Sequence, residues 1–485
     1  MAALVDHVFV LMLENRSFDH FFGLSGRPGV PKPTAPGFGP GATDRAAIDP
    51  PHEFDAVHKQ INGGAMDGFA PGAMLAFEPA QIPVITQLAS EFVLFDNWHA
   101  PVPGPTWPNR FFAHAATSGG LATSPSVFAA GQAVISPRGS FKFRPGQTLF
   151  ERVAAAGKSW RVYHGDVTPQ VLALPNMVKK YLTDHTLFCP IYPGDPHFSD
   201  FATDVAGDSY APAYTFIEPN YDAYGPQFGR GDSQHPRGLV SAGESLIKVV
   251  YESIRNSPAW ERSVLLITWD EHGGYYDHVA PPQAAVPTDQ PSNRPASGDP
   301  GFQFDRFGVR VPAILVSPLA PRGKLGSELF PGKTFDHTSI ISSVFETFAV
   351  GPALTARDAV APTWTACLSA QARAGLPPPP TTLADTVPAA ASAPAPAAAS
   401  GAAVDSLATG AFLIAHALDL EIAKRSRNGT IANVTPQTAI QYQKARQASL
   451  KDPHLSLEVA QYIAEVGVRT RFHRDKLAIK AKRGS

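Results

Sequence analysis

Cysteine is nearly absent from this chain of 485 residues. Cys189 and Cys367 are too few for a thiolate metal cluster and are not spaced as a metal finger, so they read as two free thiols that could pair only in an oxidising compartment. Charge is also scarce. Lys and Arg number 40 against 42 Asp and Glu, a formal net charge of -2, and that balance gives no reason to expect a nucleic acid partner. Long apolar runs are missing too: none approaches the roughly 18 residues of a membrane-spanning helix. The first apolar stretch, His7 to Leu13, lies between Asp6 and Glu14 with no basic region ahead of it, so it is not a signal peptide. The protein is then cytoplasmic, or it is exported by a leader outside this sequence.

The sequence is rich in chain-turning residues instead. With 48 Pro and 40 Gly, long ordered loops are expected to carry much of the surface and to shape pockets. Between them lie short apolar runs that end in polar residues: His7–Leu13, Phe92–Asp96, Arg161–Gly165, Tyr214–Pro219, Val264–Trp269 and Val311–Pro318. Helical spacing separates them. Phe54, Val57 and Ile61 fit a short helix ending near Gly63-Gly64; Leu246, Ile247, Val250, Tyr251 and Ile254 mark another, with Ser241 and Glu244 as its capping box. Strands alternating with helices predict an α/β fold, a central and largely parallel sheet flanked by helices.

Composition changes after Gly375, giving an expected catalytic unit over residues 1–375 and a Pro/Ala-rich linker over 376–403. Residues 404–485 form a helical C-terminal extension packed back on the core. Its final stretch, Arg469 to Ser485, has seven Lys or Arg against one Asp. A solvated tail is the plain reading; peripheral contact with anionic lipid is the sharper one.

Two strand ends carry paired oxygen donors about 255 residues apart: Glu14-Asn15 after the first strand, and Asp270-Glu271 after Trp269 with Gly273-Gly274 behind. An Asp-Glu pair after a strand commonly caps the next helix. The same design at two strand ends points instead to one composite site for a divalent ion, Ca²⁺, Mg²⁺, Mn²⁺ or Zn²⁺. Thr106, in the turn Pro103-Gly104-Pro105-Thr106, opens a helix whose N–H groups could hold phosphate. A metal-activated Thr106 hydroxyl would be a nucleophile near neutral pH, with histidines steadying the phosphoryl oxygens and protonating the leaving group. His52, His58, His164, His235, His278 and His337 all adjoin turns or strand ends.

The motifs Glu14 to Gly23, Gly104 to Arg110, Phe216 to Pro219, His235-Pro236 and Thr268 to Gly274 occur in one order. Over roughly residues 5 to 350 the chain resembles the bacterial phosphoesterase family of phosphatidylcholine-type phospholipases C, plant non-specific phospholipases C and respiratory-burst-inhibiting acid phosphatases. The resemblance implies an alkaline-phosphatase-like core, Thr106 as nucleophile, and Glu14, Asn15, Thr106, Asp270 and Glu271 around one metal ion. It implies phosphate contacts from Asn15 and His235, and from His52, preferred over His58, with His164 a looser match and His278 in an outlying role. Threonine as nucleophile tilts the substrate toward a phosphodiester such as a phospholipid. A broad phosphomonoesterase is the alternative within enzymes, and an anionic lipid or polymer binding module the alternative of another class. The family's frequent export leaves location open, and no pattern sets an oligomeric state.

Overall fold

The computed structural model describes residues 4–46, 49–124, 143, 146–166, 168–194, 198–222, 231–287, 302–387, most of 410–422, and 453–483. The six apolar runs become the strands β1 (His7–Leu13), β2 (Val93–Phe95), β3 (Trp160–His164), β5 (Tyr214–Glu218), β6 (Ser263–Trp269) and β7 (Ala313–Val316), and a short edge strand that the sequence pattern does not mark, β4 (Phe188–Pro190), joins them. They form one seven-stranded sheet in the order β2-β7-β6-β1-β5-β3-β4. Pairing is parallel throughout except at β7, which runs antiparallel to both β2 and β6. Phe9 to Leu13 and Val264 to Ile267 are almost fully buried. Such continuous apolar strands are what a sheet covered on both faces requires.

The helices that matter for the site are α1 (Phe18–Phe22), α2 (Phe54–Ile61), α3 (Thr106–Ala115), α4 (Val240–Arg255), α5 (Thr338–Phe348) and α6 (Pro453–Arg483). The expected capping box on α4 is absent. Leu239 is the N-cap, without a side-chain cap; Ser241 gives both its N–H and its hydroxyl to Asp44, at 2.7 and 2.8 Å. Glu244 reaches across to Val84 and Ile85, accepting their N–H groups at 3.2 and 2.7 Å. Those are the orphan donors of the helix Pro83–Glu91. The spacing of Ser241 and Glu244 was read as local, and tertiary contacts claimed both.

The C-terminal extension packs on the core. Gly410 lies so close to Trp107 that a Cβ there would sit 1.7 Å from the indole. Ile414, Ala415, Leu418, Ile463 and Val466 are buried. The expected solvated tail is helical up to Arg483, and Arg474 is only 6% exposed. Most of the expected linker, residues 388–403, lies outside the described residues, as do 288–301 of the second Pro-rich loop. Among the described residues no helix is long and apolar enough to cross a membrane.

Candidate active site

Parallel strands deliver their last residues to one edge of the sheet, so β1 and β6, in register from His7 opposite Ser263 to Leu13 opposite Trp269, place Glu14-Asn15 beside Asp270-Glu271. All four residues are fully buried. The junction is tight. Asn15 takes a left-handed conformation, φ 58°, and gives its N–H to Asp270 Oδ1 at 3.0 Å, while Arg16 N–H reaches the Glu271 carbonyl at 2.9 Å. Gly273, φ +64°, passes so near that a Cβ would meet the Asn15 carbonyl at 2.2 Å. Gly274, φ +72°, abuts Pro50 and Pro51 in the same way. The two glycines therefore seat the Pro50–His52 segment against the end of β1.

His52 is the histidine this seating brings in. Its Nδ1 lies 2.7 Å from the Pro50 carbonyl and its Nε2 3.2 Å from Asn15 Nδ2. With the proton on Nδ1, Nε2 accepts from the Asn15 amide and leaves Asn15 Oδ1 pointing elsewhere. That oxygen is buried and, like Glu271 Oε1, has no hydrogen-bond donor among the described residues. Glu271 Oε2, by contrast, takes the Gly273 N–H at 2.7 Å and lies 3.2 Å from His272 Nδ1. Burial opposes charging His52, but the fields of Glu271 and Asp49 and the Pro50 carbonyl outweigh it and raise the ring to about 10. A charged ring would set two donors face to face across the His52–Asn15 contact. A cation beside Glu271 would cancel the field that charges His52 and would use the two orphaned oxygens, so this donor set fits a hard divalent ion.

Asp270 is differently employed. Its Oδ2 accepts from Arg110 Nε at 3.0 Å, and its Oδ1 accepts the N–H groups of Asn15 and Glu271. Beside the place in a metal shell that the sequence suggests, three hydrogen bonds, one of them from a buried guanidinium, make it a clamp between strand and helix. Arg110 also donates to the Met12 and Leu13 carbonyls, at 3.3 and 3.0 Å. Thr106, 2% exposed, opens α3 one turn before Arg110 and on the same face, so the clamp turns the N-terminus of α3 toward the ends of β1 and β6. Asn109 stiffens the turn ahead of it, accepting from Val102 N–H and donating to the Gly104 and Pro105 carbonyls, each at 2.9 Å.

His235 is held by its neighbour Gln234, whose φ is 67°. The Gln234 carbonyl takes Arg16 Nε at 2.8 Å, its side-chain oxygen takes Trp269 Nε1 at 2.8 Å, and its amide donates to Val240 at 2.9 Å. The Arg237 N–H donates to His235 Nδ1 at 3.3 Å, which puts the ring proton on Nε2, 3.9 Å from Asp49 Oδ2. Asp49 also lies 3.9 Å from His52 Nδ1. It lies between the two histidines, and no sequence pattern marks it. His337, another of the histidines beside turns, reaches the site through the backbone of Asp270. Its Nδ1 accepts from Trp98 Nε1 at 3.1 Å, so its Nε2–H donates to the Asp270 carbonyl at 2.7 Å.

Three expected histidines go elsewhere. His58 bonds the Phe54 carbonyl of its own helix at 3.4 Å and packs between the rings of Phe54 and Phe302. His278 joins Asp19, with Nδ1 2.6 Å from Asp19 Oδ2, inside an acidic cluster completed by Asp277 and bridged by Arg310. The Asp19 hydrogen bond raises the His278 ring above its ordinary value. His164 ends β3, two strands from β1, and its described partners are the Asp166 carbonyl, Tyr181 and Arg474. A lone histidine beside a turn carries no sign of which of these surroundings it will find.

A model of the phosphoesterase family matches residues 5–351. Non-specific phospholipase C6 of Arabidopsis thaliana is 34% identical over 395 residues, 74% of this chain and 71% of that protein. Non-specific phospholipase C1 of the same plant is 33% identical, covering 74% and 69%. Phospholipase C A of Mycobacterium tuberculosis is 27% identical, covering 73% and 75%. Solved structures align more loosely: a protein in the alkaline phosphatase superfamily from Vibrio parahaemolyticus gives a TM-score of 0.32 at 10% identity, over 74% of this chain and 70% of that one. The chain belongs to the phosphoesterase family and is a phosphoric ester hydrolase.

Proposed function

We propose that this chain cleaves phospholipid head groups or related phosphodiesters on the alcohol side of the phosphate, with Thr106 as nucleophile and a divalent ion held by Glu14, Asn15 and Glu271. One observation carries the metal: the Asn15 Oδ1 and Glu271 Oε1 oxygens are buried at adjoining strand ends without a donor among the described residues. When bound, a divalent ion would supply Lewis acidity, lowering the pKa of a nearby hydroxyl and drawing charge from phosphoryl oxygens. The chain's own groups do the rest. Thr106 Oγ, at the N-terminus of α3, attacks phosphorus as its proton is released, and the positive end of that helix stabilises the phosphoryl oxygens. The bond from phosphorus to the leaving alcohol breaks, the proton released by Thr106 passes to that alcohol's oxygen through solvent, and His235, whose proton sits on Nε2, donates a hydrogen bond to the same oxygen. Water then displaces Thr106 from the phosphothreonine, releasing the phosphorylated head group. Asp49 orients His235, and His52 holds the Asn15 amide with its oxygen free. The names of the relatives support a phospholipid over other diesters.

The test compares product release from a phosphocholine lipid and from an aryl phosphate monoester, wild type beside Thr106→Ala, after chelation and after divalent add-back. Diester cleavage that needs both the metal and Thr106 is the expected result. Cleavage of the monoester alone would place the chain with phosphatases, and turnover undiminished in Thr106→Ala would end the proposal.

A further inference from the structure

At the far side of the same sheet edge, the end of β3 faces the C-terminal helix α6 across a cleft of about 320 Å³. This is the lower end of the range for small-ligand pockets. Its lining joins the core to the extension: His164, Asp166, Tyr181 and Tyr192 from one side, Thr470, Arg471 and Arg474 from the other. Three polar atoms in these walls are buried without a hydrogen-bond partner among the described residues: His164 Nε2, Thr470 Oγ1 and Arg474 Nε. Their side chains are 8%, 1% and 6% exposed. Leaving a buried polar group unsatisfied costs about 1–3 kcal/mol. Three in one cleft mark a place that can take a partner the described residues do not supply.

The chemistry of that partner follows from the walls. Arg474 lies over the rings of Tyr181 and Phe198, 4.1 and 4.5 Å from their centroids, and bonds the Phe188 carbonyl. The aromatic faces that could have received a quaternary ammonium are therefore already occupied by a cation. Arg471 adds a second positive charge from its exposed position, against the single carboxylate of Asp166. His164 donates its Nδ1 proton to the Asp166 carbonyl at 2.5 Å, so Nε2 presents a lone pair. Two guanidinium groups, one hydroxyl and one imidazole acceptor match a phosphate that carries an O–H, either on phosphorus or on a neighbouring carbon.

We propose that this cleft binds a phosphate group, with Arg471 and Arg474 meeting its oxygens, Thr470 donating to one of them, and His164 Nε2 accepting from its hydroxyl. The C-terminal helix thereby supplies half of a ligand site on the edge that also carries Thr106. The inference does not rest on Thr106 being the nucleophile, and the two can fail separately.

The experiment follows the His164 imidazole by NMR in the full-length protein, its signal assigned by loss in His164→Gln, during titration with inorganic phosphate and, separately, with vesicles of phosphatidylcholine containing phosphatidic acid. Phosphate is expected to shift the His164 signal, with an affinity unchanged in Thr106→Ala and weakened about tenfold or more in Arg471→Gln, whose exposed side chain leaves the packing of α6 intact. Thr470→Val should weaken it as well. A shift with vesicles as well as with free phosphate identifies a lipid head group as a source; a shift with free phosphate alone identifies a soluble ligand. A His164 signal that does not move, or one that moves equally in wild type and Arg471→Gln, overturns the proposal.

Discussion

Two clusters of acids and histidine follow the ends of β1 and β6, and they are built from nearly the same residue types. In one, Asp19, Asp277 and His278 surround Arg310, which donates to Asp277 at 2.9 Å and to Asp19 at 3.2 Å and stacks on Phe18. In the other, Asn15, Glu271 and His52 converge with no Lys or Arg bridging them among the described residues. The first is a closed account of charge and hydrogen bonds. The second leaves Asn15 Oδ1 and Glu271 Oε1 unmet. A list of ligand-type residues therefore does not distinguish a strut from a site; unmet bonding capacity does.

The comparison can be broken from either side. The largest expected effect is on turnover: Thr106→Ala should lower kcat on the order of 10³-fold or more, with unfolding unchanged by circular dichroism. Full retention of activity would remove the site from the argument. The strut should fail in the opposite way. Arg310→Met leaves two buried carboxylates without their counter-charge and should cost about 3–5 kcal/mol in urea unfolding, and chelation should not change that loss. Next in size is metal removal. A chelator should lower the wild-type Tm by the equivalent of about 3 kcal/mol if the ion is present at 100 times its Kd, and Glu271→Gln should abolish that shift. A chelator-sensitive Arg310 cluster with an insensitive Glu271 would invert the two assignments.

The smallest effect concerns pH and lies outside both clusters. Burial raises Glu244 from 4.5 to about 7, despite its bonds to Ile85 and Val84. A carboxyl whose folded pKa exceeds its unfolded value binds more protons when folded, so its contribution is favourable below about 4.5 and is lost as pH rises through about 7. Glu244→Gln should flatten the stability profile between pH 5 and pH 8 by up to roughly 3 kcal/mol. An unchanged profile would mean that the carboxyl is ionised at neutral pH in the fold.

Much of the sheet was legible because six of its seven strands are compact apolar runs with a polar end, and that pattern is local; Phe188–Pro190 is too short to show it. The paired donors at Glu14-Asn15 and Asp270-Glu271 were legible for the same reason. What could not be read was who answers whom across the chain. Ser241 and Glu244 have capping-box spacing yet serve Asp44 and another helix. Asp270 looks like Glu271 in sequence, but Arg110, 160 residues away, takes one of its oxygens. That arginine had a signal: a single guanidinium in an apolar helix, one turn after Thr106. His278 and His52 offered no such difference; only the fold sets one beside Asp19 and the other beside Asn15.

The contact between Gly410 and Trp107 also sets a timetable. A ribosome adding roughly 5–20 residues per second needs about 15–60 s to travel the stretch between those two positions. Throughout that interval the indole next to Thr106 is without its covering helix, as are Tyr181 and Phe198 without Arg474. The nascent chain thus carries exposed aromatic surface at its future catalytic edge, and its solubility during synthesis depends on how long that surface waits.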